Sequence, residues 1–187
     1  MASGPVVVLD ANVIYPARLR DLFIRLSIGG LIQAKWSERI LDECFDNLIA
    51  DRPDLDTAKL ARTRQLMATA VPAATHIDRP MTDLDDLDLP DLDDRHVLAT
   101  AIAANADHIV TANLKDFPSS ALEAHDISAL SPDQLVVGLL AEQFVAVRSI
   151  LNEQASSLTR PPMTLDELLD LLIEVGLDQT VSRLRAT

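Results

Sequence analysis

"LPDLDDRHVLATAIAANADHIVTANLKDFP" (residues 89–118) decides how this chain is read. Three acids, Asp91, Asp93 and Asp94, crowd its head. Val97, Leu98, Ala101 and Ile102 follow at spacings of three and four, the pattern of one helix face. "HIVTAN" (108–113) then reads as a strand, and Asp116 sits a few residues beyond it. On a helix starting near Asp91 and ending near Asn105, Asp94 lies one turn before Val97 and Leu98, in line with a stripe that must face a core. An inward carboxylate needs a partner, because an unpaired buried charge is costly. Backbone N–H groups at the helix start are one partner and a metal ion is another. Asp91 lies a turn earlier and can line the same pocket, whereas Asp93 projects elsewhere.

Working outward, "PVVVLD" (5–10) is an apolar run ending in an acid, as in a buried parallel strand. "PARLRDLFIRLSIGG" (16–30) opens with Pro and closes with glycines, the punctuation of a helix. Ser37 can cap a second helix over 38–51, and residues 55–71 read as a third. "ATHID" (74–78) is a candidate short strand, 78–94 an acidic loop, and "DISAL" (126–130) another candidate strand. Strands alternating with helices predict an α/β protein: a central parallel sheet covered by helices on both faces.

After Ser131 the strand pattern stops. Residues 131–154 read as a long amphipathic helix, "TRPP" (159–162) breaks it, and 163–176 carry the capping box Thr164-x-x-Glu167 before Gly176. A last short helix reaches the C-terminus. The chain is therefore divided into an α/β body, 1–130, and a C-terminal helical extension, 131–187. The extension is expected to dock through Leu135, Leu139, Leu168 and Leu172.

Composition narrows the function classes. The 187 residues are 48% hydrophobic but only 3% aromatic, enough for a core built from Leu, Val, Ile and Ala. A net charge of −13 argues against a broad basic surface for nucleic acid, although a bound cation reverses the local potential of an acidic site. The single cysteine, Cys44, excludes an intrachain disulfide and fits a reducing compartment. With neither a signal-peptide pattern nor an uninterrupted apolar run of about 18 residues, a cytoplasmic protein with no membrane association is expected.

In an open parallel sheet, ligand sites form at the carboxyl ends of the strands. Asp10 ends "VVVL" and Asp116 follows "HIVT", so neighbouring strands would bring them together. Asn12 can orient Asp10, bind a ligand or simply enter a helix. Glu43 shares a helix face with Ile40 and Asn47 at the border of the stripe Leu41, Cys44, Phe45 and Leu48. Asp10, Glu43, Asp94 and Asp116, with Asp91 as an accessory, thus form one candidate cluster. Oxygen donors of this kind suit Mg²⁺ or Mn²⁺ rather than zinc. Their natural chemistry is metal-assisted phosphoryl transfer. Asp10, Asp94 and Asp116 are the expected ligands, directly or through water, with Glu43 and Asp91 completing the shell or orienting the attacking water.

"VVVLDANVIYPARLRDLF", "WSERILDECFDNL" and the 89–118 stretch together resemble the PIN-domain ribonucleases, in particular VapC-like toxins of toxin–antitoxin pairs. The resemblance covers roughly residues 5–130. It implies a three-layer α/β/α sandwich and a Mg²⁺- or Mn²⁺-dependent endoribonuclease, often acting on tRNA or ribosomal RNA, with a cognate antitoxin occupying the active site. The family's four acids match Asp10, Glu43, Asp94 (with Asp91 a nearby candidate) and Asp116. Its small polar position after the late strand matches Thr111 or Asn113. RNA contact would then fall to local cations such as Arg18, Arg20, Arg25, Lys35, Arg39 and Lys115. A homodimer is left open.

Three other readings compete. A haloacid dehalogenase-type phosphatase would use Asp10 as nucleophile, but expects a second Asp where this chain has Asn12. A phosphoacceptor receiver domain would place its Asp on a middle strand rather than the first. A non-catalytic acidic interaction module would use the acids only as caps and solubilising charges.

Overall fold

The structure, a computed structural model, describes residues 4–74 and 84–186. Four strands form one sheet in the order β2-β1-β3-β4: β1 (Val6–Leu9), β2 (Gln33–Lys35), β3 (His108–Val110) and β4 (Ser128–Leu130). Every pairing is parallel, with Val7 opposite Ala34 on one side and His108 on the other. Val7, Val8 and Leu9 are all buried although successive side chains point to opposite faces, so helices cover both sides of the sheet. The fold is the expected three-layer α/β/α arrangement.

The helices of the body are α1 (Ala11–Ile14), α2 (Ala17–Ile28), α3 (Glu38–Asp51), α4 (Thr57–Ala70), α5 (Arg95–Ala104) and α6 (Ser119–Leu122). Ser37 caps α3, its hydroxyl accepting from the Ile40 amide, and Asp56 caps α4 in the same manner through Ala58. α5 packs on β1 and β3 through Val97, Leu98 and Ala101, as its stripe requires. Asn105 ends it in the left-handed conformation that Asn tolerates.

The differences from expectation are local. α5 starts at Arg95 rather than Asp91, because Asp91 Oδ1 accepts the Asp93 amide at 2.9 Å and folds 91–94 into a turn. β3 ends at Val110, since the Thr111 hydroxyl accepts the Asn113 amide at 3.0 Å and turns the chain away. β2 was not anticipated: its three residues, "QAK", carry no β-branched side chain. The candidate strand 74–78 lies outside the described residues except for Ala74, which belongs to a 3₁₀ turn.

The C-terminal helices are α7 (Pro132–Ser157), α8 (Leu165–Ile173) and α9 (Asp178–Arg185). Leu135, Leu139, Leu168 and Leu172 are all buried. α7 is longer than the sequence pattern indicated and departs from helical geometry at Gln143. By length and composition alone it could cross a bilayer, but Val136, Val147 and Leu151 are buried where α7 packs against α2, α8 and α9. Polar contacts tie it to α2: Gln154 Nε2 donates to the Arg18 carbonyl at 3.0 Å, and Arg25 donates to the Ser157 hydroxyl at 2.9 Å.

The strand order also locates the ligand crevice. The chain leaves β1 toward β2 on one side, and leaves β3 toward β4 on the other. The carboxyl ends of β1 and β3 therefore flank a topological switch point, where α/β sheets open a crevice.

Candidate active site

Asp10 and Thr111 follow β1 and β3 at this switch point, 3% and 0% exposed. A network of short polar contacts joins the two strand ends. Asp10 Oδ1 accepts the Ala11 amide at 2.6 Å. Its Oδ2 accepts the Thr111 hydroxyl at 2.7 Å and Asn12 Nδ2 at 2.5 Å. Asn12 Oδ1 in turn accepts the Ala112 amide at 3.0 Å. Thr111 also receives the Asn113 amide, and Asn113 Nδ2 donates to Asp116. Asn12, Thr111 and Asn113 thus orient the two acids they lie between. Asp10 is pushed above the usual carboxylate range by burial, an effect opposed by its bonds to Thr111 and Ala11.

The 91–94 turn brings further acids to the same edge. Asp91, Asp94 and Asp116 each offer an oxygen within 4.8 Å of the others. Asp94 stands at the N-cap position of α5, yet its side chain accepts no capping hydrogen bond. Its pKa is raised to about 6, first by partial burial and then by the charges of Asp10, Asp91, Asp116 and Glu43. These influences identify Asp10 and Glu43 as close electrostatic neighbours of the trio. The geometry therefore brings together Asp91, Asp94 and Asp116, with Asp91 rather than Asp10 in the tight group, and Asp10 and Glu43 act on Asp94 through their charge. Asp93, as expected, is exposed.

Glu43, on α3, is half-exposed, and its Oε2 lies 3.2 Å from His96 Nε2. His96, on the first turn of α5, is buried, with Nδ1 2.7 Å from the Asp93 carbonyl. Sequence reasoning missed His96. It follows the acids by two residues, but its Glu43 contact crosses between helices, and no spacing announces that.

Cations predicted to meet RNA divide into two groups. Arg20 donates to the Ile14 and Tyr15 carbonyls, Arg25 to Asp21 and Ser157, and Lys35 to the Ala73 carbonyl. These three hold the fold together. Arg39 and Lys115 are exposed, and Arg18 is half-buried.

Residues 6–115 match the family model described as PIN domain, and residues 132–186 match that described as VapC50 C-terminal domain. A curated protein of Mycobacterium tuberculosis (strain ATCC 25618 / H37Rv), named "Putative ribonuclease VapC50", is 41% identical over 81 residues. The match covers 43% of this chain and 48% of that protein, so the chain spans about half the length of this curated relative. No solved structure matches the chain significantly.

Proposed function

The chain belongs to the PIN-domain family, and from that premise we propose that it is a Mg²⁺- or Mn²⁺-dependent endoribonuclease, the toxin of a type II toxin–antitoxin pair. The observation that carries the reading is the approach of Asp91, Asp94 and Asp116 at the switch point, with Asp94 raised to about 6. Partial burial and then four neighbouring carboxylates raise Asp94, and a divalent cation would relieve the repulsion.

The donor set fits such an ion. Mg²⁺ sits about 2.1 Å from its oxygens, so opposite ligands of one ion are about 4.2 Å apart. A group of hard oxygens spanning 4.8 Å is close to that span and would close on the ion with little movement or through intervening water. Asp91, Asp94 and Asp116 would hold it, with Asp10 alongside directly or through water. When bound, it supplies Lewis-acid stabilisation of phosphate charge and a more acidic water.

The chain's own residues set the geometry. Thr111 and Asn12 fix the Asp10 carboxylate, and Asn113 fixes Asp116, so both acids are oriented before substrate arrives. Glu43 stands beside the cluster, in position to orient a water toward a phosphodiester phosphorus. Lys115, next to Asp116, offers the phosphate backbone a cation.

The phosphatase alternative is disfavoured by the bonding of Asp10. Ala11 occupies one oxygen, Thr111 and Asn12 the other, and Asn12 stands where the second acid is expected. The interaction-module alternative assigns Asp94 to capping, a bond it does not make.

The body, 1–130, is assigned to catalysis and 131–187 to a separate helical extension, a division supported by the two family-model matches. A tRNA or ribosomal RNA substrate, a cognate antitoxin covering the acids and a cytoplasmic setting complete the proposal. Purified protein incubated with cellular RNA in Mn²⁺, followed by 5′-end mapping, tests it. Discrete cuts that vanish with EDTA and in Asp94→Asn are expected; cuts that persist in both would overturn the assignment.

A further inference from the structure

The buried ring of His96 touches two parts of the site that the sequence keeps apart. Nδ1 is 2.7 Å from the Asp93 carbonyl, and Nε2 is 3.2 Å from Glu43 Oε2. A carbonyl only accepts, so Nδ1 carries a proton and donates it. Nε2 faces a carboxylate at ion-pair distance but without hydrogen-bond alignment, and it makes no other hydrogen bond among the described residues. Catalytic contacts are often loosely aligned before substrate or metal arrives.

Asp93 itself is exposed, yet its backbone is tied on both sides. Its amide donates to Asp91 Oδ1 at 2.9 Å, and its carbonyl is held by His96. Holding the peptide units on both sides of the Asp93 Cα sets the turn on which Asp91 and Asp94 stand. The same ring lies against Glu43, on a different helix.

We propose that His96 is a positioning residue that couples two halves of the site. One ring nitrogen fixes the acid-bearing 91–94 turn; the other fixes Glu43. The inference rests on the nuclease reading above, and deepens it by adding a residue that orients ligands without ligating. Supports of this type, one shell out from a metal, affect affinity or activity roughly 10–100-fold when removed.

The two contacts can be separated. In His96→Asn the amide nitrogen reaches about where Nδ1 lies and can still hold the Asp93 carbonyl. In His96→Gln it reaches about where Nε2 lies and can still meet Glu43. The experiment measures Mn²⁺ affinity by electron paramagnetic resonance on the full chain, with RNA cleavage and melting temperature alongside. His96→Ala is expected to weaken Mn²⁺ binding roughly tenfold or more. It should also lower kcat while KM for RNA changes by less than about twofold. Asn should recover mainly Mn²⁺ affinity, and Gln mainly kcat. Where the Ala variant fails to fold, the Asn and Gln variants carry the test. Loss of thermal stability alone, with affinity and kcat retained in every variant, would reduce His96 to a core residue and overturn the proposal. So would Asn and Gln variants indistinguishable from Ala. Wild-type protein that binds no Mn²⁺ would overturn the nuclease reading and this one together; wild type that binds while the variants match it would overturn this one alone.

Discussion

Asp116 and Asp133 are almost equally buried, at 8% and 7% exposure, but their surroundings differ in kind. Asp133, on the first turn of α7, accepts the Gln179 and Thr180 amides at 3.0 and 2.9 Å. It caps α9, whose own N-cap residue, Leu177, offers no side-chain acceptor. Asp116 accepts from one side chain, Asn113 Nδ2, and otherwise faces Asp91 and Asp94. One carboxylate is buried because backbone donors compensate its charge. The other is buried beside two further carboxylates, an arrangement with a place for a positive ion. The C-terminal helices elsewhere show the first pattern, with capping boxes at Ser131/Gln134 and Thr164/Glu167. The sheet edge shows the second. Acids gathered beside one another mark the site, and acids answered by backbone donors mark the scaffold.

The sharpest way to break this contrast is to neutralise one acid of each kind. Asp94→Asn and Asp116→Asn are expected to lower RNA cleavage on the order of a thousandfold, about 4 kcal/mol of barrier. Asp133→Asn should leave cleavage per folded molecule unchanged. Gel assays corrected for folded fraction decide it, and equal losses in both classes would erase the distinction.

A second test asks whether the helical extension is scaffold throughout. Leu172 is fully buried in α8, within the cluster that includes Leu168 and Leu169. Leu172→Ala should cost about 2–5 kcal/mol through the lost side chain and the cavity left behind. Urea unfolding would show the loss, and the Mn²⁺ affinity of the folded protein should not move. A matching fall in affinity would mean that α7–α9 help shape the acid cluster.

Much of this was legible in the sequence because it depends on local pattern. Ser37, the Ser131 start of α7, Thr164-x-x-Glu167 and the stripe Val97, Leu98 and Ala101 each declare a helix within one or two turns. Asp10 and Asp116 were legible because strand ends in a parallel sheet converge. Contacts across elements were not legible. The Asp133 bond to α9 joins residues far apart in the chain, and so does the His96–Glu43 contact. β2 escaped notice because "QAK" is held by its neighbours rather than by propensity. Arg20 and Arg25 looked like surface cations until their backbone and interhelical partners were seen.

Substitutions read through stability should move the two classes in opposite directions. Asp133→Ala strands the buried Thr180 amide and the partly buried Gln179 amide of α9 and should cost about 1–3 kcal/mol. Asp94→Asn removes a charge from among four others and should raise the melting temperature of metal-free protein. Calorimetry in EDTA measures both. A fall in the two alike would mean that Asp94 is a structural cap after all.

The smallest expected effect is on pH dependence, and its sign separates the classes again. Asp94 has a folded pKa of about 6 against an ordinary 3.8, so the folded state holds the proton more tightly than the unfolded chain. Its contribution to stability is fully present below about pH 4 and is lost as pH rises through 6. Asp54 and Glu167 run the other way, because Arg52 and the Thr164 cap lower their pKa values. Their contributions disappear on acidification. Both groups are exposed and sit outside the site, so comparing wild type with Asp94→Asn cancels them. The melting-temperature gap between these proteins, in EDTA, should widen between pH 4.5 and 7, with the wild type falling relative to the variant. Partial solvent exposure of Asp94 limits the shift to a few degrees. Saturating Mg²⁺ should reverse the gap near neutral pH, because only the wild type keeps the full set of carboxylates to bind it. A gap unaffected by pH or Mg²⁺ would place Asp94 with Asp133, among acids whose charge the fold has already answered.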